Sequence, residues 1–201
     1  MDEQENLYIV DSRNHRVQKL TKDGKFLAKW GSLGSGEGEF DSPWGLAIDG
    51  QGFVYVVDNG NHRVQKFTPE GEFVAEFGSQ GTDAGQLNYP SDVSVDPDGD
   101  VYVCDWGNNR VQIFAPDGKF LATLVGDAQN LGKWHQDVVD ANLDNQRARR
   151  RADLSMEWTL QMPRGVTFDP AKDRILIADT QRSRIQIYDK PRNYMEPQLN
   201  L

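Results

Sequence analysis

Three histidines are the first side chains in this sequence that could do chemistry. His15 and His62 stand in identical "NHRVQK" words 47 residues apart, and His135 stands alone. Imidazoles are common zinc ligands, and three of them plus a water would complete a tetrahedral catalytic site. Two features argue against that use. Asn109 and Ser183 replace His in two further copies of the word, so the position accepts non-ligands. Residues on repeated outer turns should also lie too far apart to share one ion. The single cysteine, Cys104, stands where the other copies carry Val10, Val57 and Ala178, and it reads as a small core residue. One cysteine allows neither a disulfide framework nor a Cys-based zinc site. No GxSxG, HExxH or phosphate-cradling glycine loop is present.

Charged residues recur as well. Asp11, Asp58, Asp105 and Asp179 are each followed five residues on by Arg16, Arg63, Arg110 and Arg184. A guanidinium near a carboxylate can tie a turn to neighbouring backbone. It can also contribute to a cationic ring that attracts an anionic partner. The tie is the plainer reading, because a ligand rarely needs the same contact from every repeat. A basic cluster, "RARRR" at 147–151, is surrounded by Asp137, Asp140, Asp144 and Asp153. It reads as a solvated helix face balanced by those acids, with a lid or a docking site for an acidic partner as the sharper alternatives.

The elements that must position these groups are strands. "LYIVD", "FVYVVD", "VYVCD" and "RILIAD" end on the recurring Asp, "RVQKL", "RVQKF", "RVQIF" and "RIQIY" follow, and then "FLAKW", "FVAEF" and "FLATL". "GLAID", "DVSVD" and "GVTFD" precede the last three copies, and Asp-Gly, Glu-Gly or Pro-containing turns separate the segments. The step is 47 residues twice, then 74, so 27 extra residues interrupt the third step. Four short antiparallel strands in a unit of about 45 residues predict a β-propeller blade, whose two faces are both buried by neighbours. The expected fold is therefore all-β: a β-propeller of four-stranded antiparallel blades, about 3.5 of them present, with one helical or irregular insertion. One partial propeller domain is expected over 1–201, with the insertion at 127–158 and a C-terminal tail at 190–201.

"VVDNGNHRVQKFTPEGEFVAEFGSQGTDAGQLNYPSDVSVDPDGDVYV" resembles an NHL repeat at nearly every position, and the resemblance covers residues 7–125 and 160–189. It implies a six-bladed scaffold. Antiparallel order within a blade, with strands a to d running outward, puts the b–c turns and the d–a bridges on one face. Propeller ligands usually sit at the channel mouth, where the residues just after each bridge differ here between copies: "PWG" at 43–45, "PSD" at 90–92 and "PRG" at 163–165. Residues that only support the fold should look alike in each blade, whereas an asymmetric pocket should not. Trp44, Ser91, Asp92 and Arg164 are thus the candidate ligand-binding residues, with ordinary rim residues as the plain alternative. They offer an apolar plate, a hydroxyl, a carboxylate and a cation. Amidating lyases resemble NHL propellers and hold zinc through His residues, some directly after this Pro. Trp44, Ser91 and Arg164 stand there instead, which puts that activity in doubt for these blades.

The expected function is a binding scaffold for a protein, peptide or small polar ligand. The alternative is a metal-assisted lyase or hydrolase with part of its site elsewhere. No catalytic residue is assigned and no cofactor is expected, though zinc or calcium in a full-length protein stays open. The net charge of −9 argues against nucleic acid, as against an anionic membrane, because both need a positive footprint. Tripartite-motif NHL proteins bind RNA through a positive upper face, which this acidity also disfavours. No apolar run approaches the roughly 18 residues that would span a bilayer. "MDEQEN" is acidic and no signal peptide, which favours the cytoplasm unless the true start lies upstream. The first copy lacks strand a and the fourth lacks strand d, so a fragment of a longer chain is expected, or else two chains completing one ring as a dimer.

Overall fold

The β-branched and aromatic words fold as read. A computed structural model describes residues 1–128, 133–151, 153–192 and 194. Fourteen strands lie among them: β1 (Leu7–Asp11), β2 (Arg16–Leu20), β3 (Phe26–Trp30), β4 (Pro43–Ile48), β5 (Val54–Asp58), β6 (Arg63–Phe67), β7 (Phe73–Phe77), β8 (Asp92–Val95), β9 (Val101–Asp105), β10 (Arg110–Phe114), β11 (Phe120–Leu124), β12 (Pro163–Asp169), β13 (Arg174–Asp179) and β14 (Arg184–Asp189). They form four antiparallel sheets ordered β1-β2-β3, β4-β5-β6-β7, β8-β9-β10-β11 and β12-β13-β14. These are propeller blades; among the described residues the first has no inner strand and the fourth no outer one. In each blade the Asp that ends the second strand pairs with the Arg that opens the third: Asp11 with Arg16, Asp58 with Arg63, Asp105 with Arg110, Asp179 with Arg184.

Three apolar layers lie between the blades. Val17, Phe40, Val54, Val56 and Phe67 fill the first, Tyr55, Val57, Val64, Phe77 and Val103 the second, and Tyr102, Val111, Ile113, Ile175 and Ile177 the third. This explains why β5 and β9 read as unbroken apolar words: every residue in both is buried. Burying each valine among them contributes about 1.5–3 kcal/mol. The arc is open. On the far side of blade four, Ile185 is 64% exposed at the position where Val64 is fully buried in blade two.

The bridges between blades close on an apolar plug. Leu87 is fully buried and sits so close to Gly78 that a Cβ there would lie 2.4 Å from the leucine Cδ1. Gly78 also has φ +83, which a side chain would strain. Phe40 and Gly31 repeat the arrangement, whereas in the third bridge a Cβ on Gly126 would meet the Leu160 amide nitrogen at 2.3 Å, with the Leu160 side chain again buried. The insertion lies between Gly126 and Leu160, so the third bridge keeps its plug. It holds two short helices, α1 (Lys133–Asp140) and α2 (Leu143–Arg149). In the sequence Trp134, Val138, Ala141, Asn142 and Ala148 form a weak helical stripe, and Asn130 could cap its start. The helix breaks at Ala141–Asn142, because the Asn142 side chain accepts from the amides of Asp144 and Asn145 and caps α2. Asn130 lies outside the described residues. Among them no helix is long and apolar enough to cross a membrane.

Candidate functional site

The recurring Asp and Arg form a clamp on the preceding bridge. Arg63 donates through Nε to Asp58 at 3.0 Å and through Nη2 to the carbonyls of Gly36 and Glu39. Gln65 donates to both Glu39 O and Asp58, and Asp58 also accepts the Asp41 amide at 2.7 Å. Arg110 repeats this on Asp105 and the carbonyls of Asp83 and Gln86, and Arg184 on Asp179 and those of Trp158 and Thr159. Among the described residues Arg16 pairs with Asp11 alone, at 2.8 Å. Burial pushes the Asp58 carboxyl up, against hydrogen bonds from Asn61, Asp41 and Arg63. Half-buried Asp11 is instead held down by Asn14 and Arg16.

The histidines have a matching geometry. Nδ1 of His15 accepts the Ser42 amide at 3.2 Å, and Nδ1 of His62 accepts the Tyr89 amide at 3.0 Å. In the third copy Asn109 Oδ1 accepts the Met162 amide at 2.8 Å. His and Asn are interchangeable here because each places an acceptor at the same reach. Among the described residues no group of three or more His, Cys, Asp or Glu is arranged to hold a metal. Cys104 is fully buried, and that burial pushes its thiol well up, so it is not a ready nucleophile.

The four mouth candidates divide into two pairs. Ser91 is buried and donates to the Pro163 carbonyl at 3.0 Å. Asp92 accepts the Val166 amide at 3.0 Å, and Ser94 accepts the Phe168 amide at 3.0 Å. Three side chains at β8 therefore bond the backbone of β12, the inner strand of the next blade. Burial pushes the Asp92 carboxyl up, against the amides of Val166 and Val93. On its other side Asp92 abuts β4, where a Cβ on Gly45 would lie 2.7 Å from the Asp92 Cα. Trp44 and Arg164 are exposed, Trp44 by 54%. Both sit at register shifts, between Pro43 and Leu46 and between Pro163 and Gly165. Such bulges re-aim a side chain out of the pleat. The inner strands β4, β8 and β12 thus set Trp44 and Arg164 on either side of the engaged Asp92.

The insertion is fastened beside the fourth blade. Arg149 forms a bidentate pair with Glu157 at 2.5 and 2.6 Å, and Arg182 donates to Met156 O at 2.7 Å. Glu157, not one of the four aspartates, takes the central arginine of the cluster. Arg147 reaches Asp144 at 3.4 Å, and Arg150 and Arg151 are exposed.

A second set of repeated residues lies on the opposite face and was missed in the sequence. Asp2, Asp49 and Asp96, at 47-residue steps, each cap the turn that leads into the second strand of a blade. Asp49 accepts the amides of Gln51 and Phe53 through one oxygen and the Tyr55 hydroxyl through the other. Asp2 and Asp96 do the same with Tyr8 and Tyr102. Two equivalent clefts of about 350 and 370 Å³ run between adjacent turns of this set. The signal was available as an Asp-x5-Tyr spacing at the same period as the NHR word.

The comparisons follow this geometry. The family model described as NHL repeat matches residues 40–67, 87–114 and 160–188. A 37-residue stretch, 18% of this chain, is 54% identical to RING finger protein nhl-1 of Caenorhabditis elegans and covers 4% of that protein. Among solved structures, an auxiliary nutrient binding protein from Bacteroides thetaiotaomicron is similar over 92% of this chain and 45% of its own, with TM-score 0.60 and 15% identity. Virginiamycin B lyase from Staphylococcus aureus is similar over 96% of this chain and 54% of its own, with TM-score 0.53 and 12% identity. The chain spans about half the length of these structures. Its blades are β-propeller blades, and its three matched stretches are NHL repeats.

Proposed function

We propose that this protein is a non-catalytic binding scaffold that presents its channel mouth to a protein, peptide or small polar ligand. One observation carries the reading. The repeated polar groups, together with Ser91 and Asp92, have their hydrogen-bonding atoms engaged within the fold, whereas Trp44 and Arg164 are turned outward by bulges at equivalent positions. An indole plate beside a guanidinium suits a flat or acceptor-bearing ligand. The similar fold of a nutrient binding protein is consistent with this use, while that of a lyase shows that the scaffold also hosts enzymes. Binding of this kind requires no cofactor, nucleic acid or membrane.

The test is a binding screen of the protein against pooled metabolites and a random-peptide library, repeated with Trp44→Ala and Arg164→Ala. A hit whose affinity falls tenfold or more in both variants supports the mouth. A hit indifferent to both refutes it, and stoichiometric zinc or calcium in the purified protein would favour the lyase alternative.

A further inference from the structure

A lysine missing from the third blade is supplied by the fourth. In the first blade the buried carboxylate of Asp2 has the ammonium of Lys19 at 3.6 Å. In the second, Asp49 has Lys66 at 3.9 Å. Lys19 and Lys66 hold the same place in β2 and β6, the fourth residue of each strand. The corresponding residue of β10 is Ile113, which is fully buried in the apolar layer between blades three and four. Asp96 still has an ammonium beside it. Lys190, just after β14, places Nζ 2.6 Å from Asp96 and 2.6 Å from Asp98, with Asp100 at 3.6 Å. The lysine side chain is 5% exposed and that of Asp96 is fully buried.

Neighbouring contacts give this arrangement a fixed frame. Tyr102 donates to the same Asp96 oxygen at 2.7 Å, and the Tyr102 ring stacks on Phe168 of blade four at 6.0 Å. Lys190 Nζ lies 5.9 Å from the Phe168 ring centre. Four residues on, Tyr194 donates to Asp100 at 2.7 Å. The Lys190 amide bonds Asp173 O, so the lysine is anchored to blade four while its head sits in blade three. A carboxylate buried this deeply is strongly destabilising unless an opposite charge is held against it. Blades one and two meet that need within their own sheet. Blade three cannot, because its lysine position has become part of the apolar seam.

We propose that Lys190 is a latch supplied by the neighbouring blade: by neutralising Asp96 across the seam, with Tyr194 on Asp100, it locks the fourth blade in register against the third. The fourth blade carries Arg164 and anchors the insertion, so the latch also fixes one side of the mouth described above. The latch itself does not depend on the ligand-binding reading.

The test is thermal unfolding of the full chain. Lys190→Met should lower Tm by on the order of 5–10 °C. Adding Asp96→Asn should return part of that loss, because it removes the buried charge that Lys190 offsets while keeping an acceptor for the turn amides. Lys190→Ala should be partly rescued by ethylammonium but not by tetramethylammonium at equal ionic strength, because only the former donates N–H bonds to the aspartates. An unchanged Tm in Lys190→Met overturns the latch, as does equal rescue by the two cations. If the double variant does not fold, amide exchange in Lys190→Met decides the matter. Faster exchange confined to β12–β14 and the 96–100 turn supports the latch, and a uniform increase overturns it.

Discussion

Nδ1 of His62 accepts the amide of Tyr89 at 3.0 Å, and both residues have a left-handed backbone, with φ of 56° and 49°. Neither is a glycine, so each conformation carries strain that the bond between them must offset. The pair joins the turn of one blade to the start of the next inner strand. The other copies show what the position requires, since Asn109 performs the same task for Met162. His62→Asn is therefore expected to change stability by less than about 0.5 kcal/mol, whereas His62→Ala should cost about 1–2 kcal/mol by orphaning the Tyr89 amide. Urea unfolding of the two variants checks this, and equal losses would show that the acceptor is irrelevant.

Arg63→Ala should cost about 3 kcal/mol, because it leaves the fully buried Asp58 without its ion-pair partner and takes one donor from each of two bridge carbonyls. Lysine at 63 should restore little, since one ammonium cannot serve Asp58, Glu76 and a carbonyl together. Arg16→Ala should cost under about 1 kcal/mol, because that pair is part-exposed and has no bridge to hold. Chemical denaturation ranks the three, and a loss at Arg16 matching that at Arg63 would contradict the clamp.

Trp44→Ala and Arg164→Ala should each shift unfolding free energy by less than about 0.5 kcal/mol, as exposed residues away from any network do. Ser91→Ala and Asp92→Ala should cost about 1–2 kcal/mol each by releasing Pro163 O and the Val166 amide. Denaturation midpoints for the four variants separate rim from frame.

Acid should act on two aspartates in opposite directions. Burial raises the Asp92 carboxyl above 3.8. The folded state therefore holds that proton more tightly, and the stabilisation it provides below 3.8 is lost as pH rises through the native value. For Asp2, burial pulls upward but hydrogen bonds from Asn6 and Tyr8 prevail and bring it down from 3.8 to about 2. Its contribution is present above 3.8 and lost as pH falls through about 2. Asp92→Asn should thus stabilise the protein near neutral pH and do little near pH 3. Asp2→Asn should destabilise it near neutral pH, by on the order of 1 kcal/mol, and do little near pH 2. Urea midpoints across this range give the signs.

The blades were legible because period and alternation report directly on strands that neighbours bury on both sides. β5 and β9 could be read residue by residue. Two kinds of information were not. Divergence between copies marked Trp44, Ser91, Asp92 and Arg164 alike, yet only contacts across blades reveal that the side chains of Ser91 and Asp92 bond β12. No spacing along one chain announces a bond to a strand about 70 residues away. Asp49 and Asp96 were read as turn punctuation, since Asp before Gly or Pro explains itself locally. The lysine beside Asp96 was hidden for the same reason as the β8 contacts, because it comes from residue 190.

The plug residue Leu160 stands downstream of the helices, and its amide bonds Val125 O at 2.8 Å. Closure of the third bridge thus rests on those anchors and on the Trp158 and Thr159 carbonyls that Arg184 holds, and chain added upstream of Trp158 is entropically cheap. The site is a natural cassette: residues 127–157 are expected to be exchangeable for residues 79–84 of the second bridge, or for a foreign sequence, leaving the blades on both sides assembled.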